Sequence, residues 1–336
     1  MALKPRMQLG YFELESQIGE GGFGDVWKVI STEDNKAYAM KIEPHNSKRA
    51  TLKFEAAILK KMSRSSQHFP HFIFEGSEDN NYFLVEELLG PNLSTVASHL
   101  PGGIVILPFL ARLADEMLSC IEDFHKNGYI HRDIKPQNFV VRLDGDTPIC
   151  LIDYGISKLY VNSSGKHLDA REFASAIGSP VYASSSTHNR IELSRRDDLI
   201  SMAYAILALS QFSLPWISEQ NVNEIGKMKE ENKLSDLLGQ ISPQFRQVGE
   251  HIQQLGFADT PDYNLMHHLL RSGIPQSSSP FEWFDCKPEI PPEPIEPTPE
   301  NAGAQPIHGS NDPTGFLYAL CPYYKIQPKN NKCCIY

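Results

Sequence analysis

Short alternating stretches come first along this chain, and helical spacing follows. The segments "YFELESQIG", "GDVWKVIST", "KAYAMKIE" and "NYFLVEELL" carry aromatic and β-branched residues bounded by Gly, Asn and Asp, the pattern of short strands between Tyr11 and Glu87. One helix interrupts them in "SKRATLKFEAAILKKMS", where Leu52, Ala56, Leu59 and Met62 fall on one stripe. From about Asn92 helical periodicity dominates. "LPFLARLADEMLSCIEDFHKNG" places Leu110, Leu113, Met117, Ile121 and Phe124 on one face, with Gly128 suited to the helix end. "DDLISMAYAILALS" is apolar nearly all round, as expected of a helix buried inside a large lobe. Strands followed by helices predict an α+β protein of two lobes, a small antiparallel sheet with one helix and a larger, mainly helical part. Two unrelated domains would need a linker near residue 90, and "LLGPNL" is too short and apolar to be flexible.

The globular pattern ends near "SSSPFEWFDC". Residues 287–315 are rich in Pro and Glu and are expected to form an extended, disordered linker; residues 316–336 recover apolar and aromatic character. The expected divisions are therefore 11–286, with an N-lobe at 11–89 and a C-lobe at 90–286, then linker and tail. The chain has 336 residues, 41% hydrophobic and 21% charged, with a net charge of -10. That size allows sizeable cores, and the acidic balance argues against a nucleic-acid partner. No apolar run approaches bilayer length, and "MALKPRMQLGYFELES" lacks the apolar core of a signal peptide. The six cysteines are scattered without CxxC spacing, so neither a zinc site nor a disulfide framework is expected, and the protein is placed in the cytoplasm. There is no internal repeat.

The chemistry begins at "IGEGGFGDV", a Gly-x-Gly-x-x-Gly run at Gly19, Gly21 and Gly24. Glycines let backbone amides approach phosphate oxygens. A dinucleotide-binding turn and a plain Gly-rich hairpin remain open here, although the run leads into the strand-like "DVWKVI" rather than a helix, with Phe23 at its tip. Lys41 closes "YAMK", seventeen residues beyond Gly24. It could pair phosphate oxygens if a carboxylate orients it, and Glu55 is the candidate; both could equally be solvated surface charges.

"YIHRDIKPQNFVV" is the most informative stretch. Asp133 and Asn138 stand in the H-R-D-x-x-x-x-N arrangement, in which Asp133 would accept the proton of an attacking hydroxyl and Asn138 would hold magnesium through its amide oxygen. Lys135 could reach a transferring phosphoryl group. Asp153 follows an apolar strand in "LIDYG" and would supply the main magnesium carboxylate. A polar turn would have to bring all these residue types to these spacings by chance.

Together these residues resemble the eukaryotic protein kinase set, in its chain order. Within it "HRDIKPQNF", "RRDDL", "LLGPNL" and the Tyr182–Ala183–Ser184 segment resemble the casein kinase 1 superfamily. "THNRIELSRRDDL", "LKFEAAILKKM", "PDYNLMHHLL" and "PFEWFD" are most similar to its tau-tubulin kinase branch. The resemblance covers about residues 11–285. It implies a two-lobed, monomeric kinase that binds ATP and Mg2+ in a cleft and phosphorylates Ser or Thr of protein substrates. Gly19, Gly21 and Gly24 would cover the phosphates, Ile18 and Val26 would flank adenine, and Ala39 would cap it. Lys41 would pair with Glu55 and the phosphates, and Glu87, Leu88 and Leu89 would form the hinge. Asp198 would bind the backbone of the His131–Arg132 turn, and Lys135 after the catalytic Asp133 favours hydroxyls of Ser or Thr over Tyr.

Some positions depart from that pattern. Ser179 in "GSPV" keeps the hydroxyl that could bond Asp133, but Val181 stands where the family carries an arginine associated with recognising a substrate already phosphorylated. Little dependence on such priming is expected. Glu86 falls behind the adenine position, where a carboxylate must pair or protonate; Lys41 is near enough to be drawn from Glu55. That leaves a pseudokinase scaffold as the alternative to an active enzyme. Small-molecule kinases sharing the fold typically lack this loop pattern. Tyr154 replaces a phenylalanine and is expected to be benign. Ser163, Ser164 and Ser175 are available for loop phosphorylation, and Arg132 could pair a phosphate. The closing "CCIY" offers Cys333 and Cys334 to prenylation or palmitoylation, aided by Lys325, Lys329 and Lys332, which would attach the protein peripherally to a membrane; an unmodified tail is the alternative.

Overall fold

The computed structural model describes residues 3–21, 24–47, 50–142, 148–171, 174 and 176–272. Phe23, Ser175, the expected linker and tail, and Cys333 and Cys334 lie outside the described residues. The N-lobe contains β1 (Gln8–Leu9), β2 (Phe12–Gly21), β3 (Gly24–Ser31), β4 (Ala37–Pro44), α1 (Leu52–Met62), β5 (Phe72–Glu78) and β6 (Asn81–Glu87). The C-lobe follows with α2 (Leu93–His99), α3 (Leu107–Lys126), β7 (Tyr129–Ile130), β8 (Phe139–Val141), β9 (Ile149–Leu151), β10 (Lys158–Leu159), α4 (Ser185–His188), α5 (Arg195–Leu209), α6 (Val222–Glu231), α7 (Leu234–Gly239), α8 (Pro243–Gln254) and α9 (Tyr263–Ser272).

The six N-lobe strands form one antiparallel sheet in the order β1-β2-β3-β4-β6-β5. It begins at Gln8 rather than at Tyr11, and β5 is a strand the alternation did not single out. Two-residue β1 is too short for any period, and β5 buries no side chain deeply. Period-two alternation divides the sheet. Phe12, Leu14, Trp27, Val29, Met40, Ile42, Phe83 and Val85 pack on one face. The residues between them, including Ala39, Lys41, Leu84 and Glu86, take the other face, toward α1 and the cleft.

Helix α1 starts later than its predicted span, at Leu52, and buries Leu52, Ala56, Leu59 and Met62 as expected, with Glu55 and Ile58 beside them. That stripe joins a continuous core shared with α3 and α5. Gly128 follows α3 at a positive φ of 87°, the left-handed conformation its position required. The Ser194 amide donates to the Asp197 carboxylate at 2.8 Å at the start of α5, which is buried nearly all round. Cys120 and Cys150 are buried free thiols. Among the described residues no helix is long and apolar enough to cross a membrane.

Candidate active site

Strand β2 carries two bulges before it reaches Gly21, which pairs with Gly24. A side chain at Gly24, whose φ is +130°, would place its Cβ 2.2 Å from the Ile42 carbonyl oxygen, so this turn admits only glycine. Val26 lines the adjoining strand, Ile18 is half exposed, and Ala39 is buried on β4.

One strand further in, the Lys41 ammonium is bonded to Glu55 in the first turn of α1. Burial works against the ammonium, but Glu55, Glu86 and Asp153 outweigh it and hold Lys41 above the ordinary lysine range. The Tyr154 amide also donates to Glu55, at 3.4 Å, tying the helix to the segment after β9. The two residues are therefore partners and not solvated surface charges.

The register Ala39–Glu86 and Tyr38–Glu87 settles which acidic residue faces the cleft. Glu86 is 7% exposed, and burial pushes its carboxyl up to about 7 against the pull of Lys41. It has not drawn Lys41 from Glu55. Glu87 turns the other way: Arg142 donates to its two oxygens at 2.9 and 2.7 Å, and the His71 amide donates at 3.0 Å. Leu88 and Leu89 continue from Glu87 toward Gly90, whose amide bonds the Val141 carbonyl at 2.8 Å, joining the lobes there.

The turn after β7 is built around Asp198. Its carboxylate accepts from the His131 and Arg132 amides at 2.6 and 2.8 Å and from His125 Nε2 at 2.9 Å. His125 Nδ1 in turn accepts from the Tyr263 hydroxyl at 2.6 Å. Burial disfavours the Asp198 charge, yet these donors hold its carboxyl below the usual range. They also hold Arg132 at a φ of +71°, a conformation costly for a non-glycine residue.

This strained turn presents Asp133. Its Oδ1 accepts from the Ser179 amide at 2.9 Å and hydroxyl at 2.8 Å, and its Oδ2 accepts from Lys135 at 2.7 Å. Burial opposes ionisation here, but the Lys135 charge and these donors keep the Asp133 carboxyl below the ordinary range. Asn138 donates through Nδ2 to the Asp133 carbonyl at 2.8 Å, leaving its Oδ1 for another ligand. The Ile152 amide bonds the Asn138 carbonyl at 3.0 Å and brings Asp153, at a φ of +70°, into the same corner. An amide oxygen and a carboxylate are hard donors that suit Mg2+, which binds through few protein groups and keeps waters and phosphates as its other ligands. Among the described residues no group of three or more His, Cys, Asp or Glu is arranged to hold a metal.

Tyr154 is fully buried, stacked on Phe124 with centroids 5.5 Å apart, and its hydroxyl donates to the Leu151 carbonyl at 2.5 Å. The extra oxygen is therefore satisfied. The Arg132 Nε donates to the Ile156 carbonyl at 2.6 Å. Nearby, buried Glu192 is clasped by Lys158 at 3.0 Å and by Arg171. Ser163 and Ser164 lie on an exposed turn in which the Asn162 side chain accepts from Ser164. Arg142, Glu192, His125 and Tyr263 were not found from the sequence, since none belongs to a local spacing.

The Protein kinase domain family matches residues 12–269, and the chain belongs to that family. A relative from Dictyostelium discoideum, named "Probable serine/threonine-protein kinase", is 32% identical over 281 residues. The match covers 82% of this chain and 56% of that relative, so the chain spans little more than half its length.

Proposed function

We propose that this protein is a serine/threonine protein kinase of the casein kinase 1 type, transferring the γ-phosphate of ATP to hydroxyls of protein substrates. The observation that carries this is Asp133, kept ionised in the cleft between Lys135 and Ser179. An ionised carboxylate there takes the proton of an incoming hydroxyl as its oxygen attacks phosphorus. Lys135 meets the transferring phosphoryl, and Lys41, fixed by Glu55, meets the remaining phosphates. Asp153 and the Asn138 amide oxygen would hold a magnesium ion, which would supply neutralisation of the phosphate charge. The glycine turn at Gly21 and Gly24 covers the phosphates and excludes water.

The casein kinase 1 assignment is supported by Tyr182, Ala183 and Ser184 in the loop after Ser179 and by the pairing of Ser184 with Asp197 at 2.7 Å. The intact Lys41–Glu55 pair argues against the scaffold alternative. Val181 is half buried and packs on the main core, so it offers no cation to a primed substrate. The test is transfer from labelled ATP to casein and to one peptide in primed and unprimed forms, beside Asp133→Asn. We expect transfer to fall at least about a thousandfold in Asp133→Asn, a few kcal/mol of transition-state stabilisation, with both peptides used comparably. Equal transfer by the variant would refute Asp133 as the base, and strong preference for the primed peptide would refute the role given to Val181.

A further inference from the structure

Helix α6 carries a lysine that the phosphoryl-transfer site does not use. Lys229 is 4% exposed, and its ammonium donates to the Pro180 carbonyl at 2.5 Å, the Ala183 carbonyl at 2.6 Å and His188 Nε2 at 3.2 Å. Three acceptors match its three N–H groups. The rings of Tyr204 and Trp216 each lie 5.3 Å from the same nitrogen, and no carboxylate is bonded to it among the described residues. Burial pulls Lys229 down to about 7 and, with the Lys229 charge beside it, His188 down to about 4, so His188 is the neutral acceptor at neutral pH.

The sequence prepares this contact. Gly226, one helical turn before Lys229, faces His188, and a Cβ at that glycine would stand 2.9 Å from the His188 Cβ. The glycine lets α6 approach α4 closely enough for Lys229 to pass beneath the loop. A second donor acts alongside it: the Trp216 indole N–H bonds the Val181 carbonyl at 2.9 Å. The segment from Gly178 to Ser184 is thus held along its length. Gly178 is pressed on the Arg132 carbonyl, Ser179 is bonded to Asp133, and Ser184 is bonded to Asp197.

We propose that Lys229 is the positioning residue of the substrate-docking loop: together with Trp216 it ties the carbonyls of Pro180, Val181 and Ala183 to the helical lobe. This rests on the protein kinase reading above, because the loop begins at Ser179, the residue bonded to the base. A loop whose carbonyls are satisfied from below keeps a fixed shape for a protein substrate, and ordering it costs nothing at each encounter. Lys229 touches neither Asp133 nor the phosphate-facing residues, so it governs how the protein substrate docks and not how ATP binds.

The experiment compares wild type with Lys229→Met in transfer to casein and in hydrolysis of ATP by water without casein. Losing two buried hydrogen bonds to the loop raises KM for casein about tenfold, while kcat, KM for ATP and hydrolysis by water stay within about threefold. Hydrogen exchange in residues 179–184 quickens in the same variant. An unchanged KM for casein overturns the inference, as does a parallel fall of casein transfer and ATP hydrolysis, which would mark a merely structural residue. If Lys229→Met does not fold, Trp216→Phe carries the test: KM for casein rises alone, or the inference fails. Wild type that hydrolyses ATP but phosphorylates no protein would instead end the kinase reading, and this inference with it.

Discussion

At the scale of single residues, Glu86 is a buried carboxylate whose charge depends on pH near neutrality. Burial pushes its carboxyl up to about 7 from the ordinary 4.5. A raised carboxylate pKa means that the folded state holds more protons than the unfolded one between those values, so stability falls as pH rises from about 4.5 to 7 and then levels. The shift corresponds to at most about 3 kcal/mol. Glu86→Met removes the penalty without emptying the site. Its stability advantage over wild type is expected to be small at pH 4.5, to grow up to pH 7 and to stay constant above it in urea titrations. An advantage that does not vary with pH would show that Glu86 is not the titrating group. KM for ATP should follow the same course, rising through pH 7 only in wild type, because the ionised form places a second carboxylate beside Lys41.

The residues bearing the chemistry were legible because most belong to spacings that the chain itself fixes. Asp133, Lys135 and Asn138 share one turn, and Gly19, Gly21 and Gly24 share one ribbon. Glu55 was legible as a candidate because it sits by the apolar stripe of α1, although only the fold brings it to Lys41. Arg142, Glu192 and Lys229 gave no such signal. Each acts across a long stretch of sequence, and a lysine or arginine in isolation reads as a surface charge.

At the scale of elements, the segment from β10 to α5 is organised by Glu192, which is 2% exposed. Burial opposes its charge, but Arg171 and Lys158 pull its carboxyl down to about 2. The depressed value means a stabilising contribution that is complete above about pH 4.5 and lost as pH falls toward 2. A buried carboxylate thus gathers these two cations close to Arg132. Glu192→Gln keeps the volume and removes the charge. It should cost about 2 kcal/mol at pH 7, the worth of hydrogen bonds to a charged group, and expose residues 158–171 to faster proteolysis. Unaltered proteolysis with unaltered stability would mean that Lys158 and Arg171 find water equally good. The alternation correctly marked the strands with deep residues and missed β5, whose exposure pattern carries no period. Ala50 and Thr51, the described residues just ahead of α1, likewise bury no apolar side chain deeply.

At the scale of the whole molecule, one buried core runs through both lobes, while a second apolar cluster belongs to the N-lobe sheet alone. Leu52, Leu59 and Leu84 of the N-lobe belong to the same buried cluster as Met117, Leu199 and Leu270 of the C-lobe. Arg142 adds a polar tie at the same border, bonding Glu87 at the end of β6 and the Gln67 and Phe69 carbonyls after α1. Its own charge is stabilised in return, burial being outweighed by Glu87. Arg142→Met strands a carboxylate and two carbonyls in a space where they cannot all reach water, at a cost of roughly 3 kcal/mol. Because the apolar core still runs through both lobes, unfolding should remain a single transition, shifted to lower temperature or denaturant. Two separated transitions would show that Arg142, and not the shared core, couples the lobes. KM for ATP should rise as well, because Leu88 and Leu89 lose the anchor that fixes the strand leading into them, while the Lys41–Glu55 pair, held from α1, is left in place.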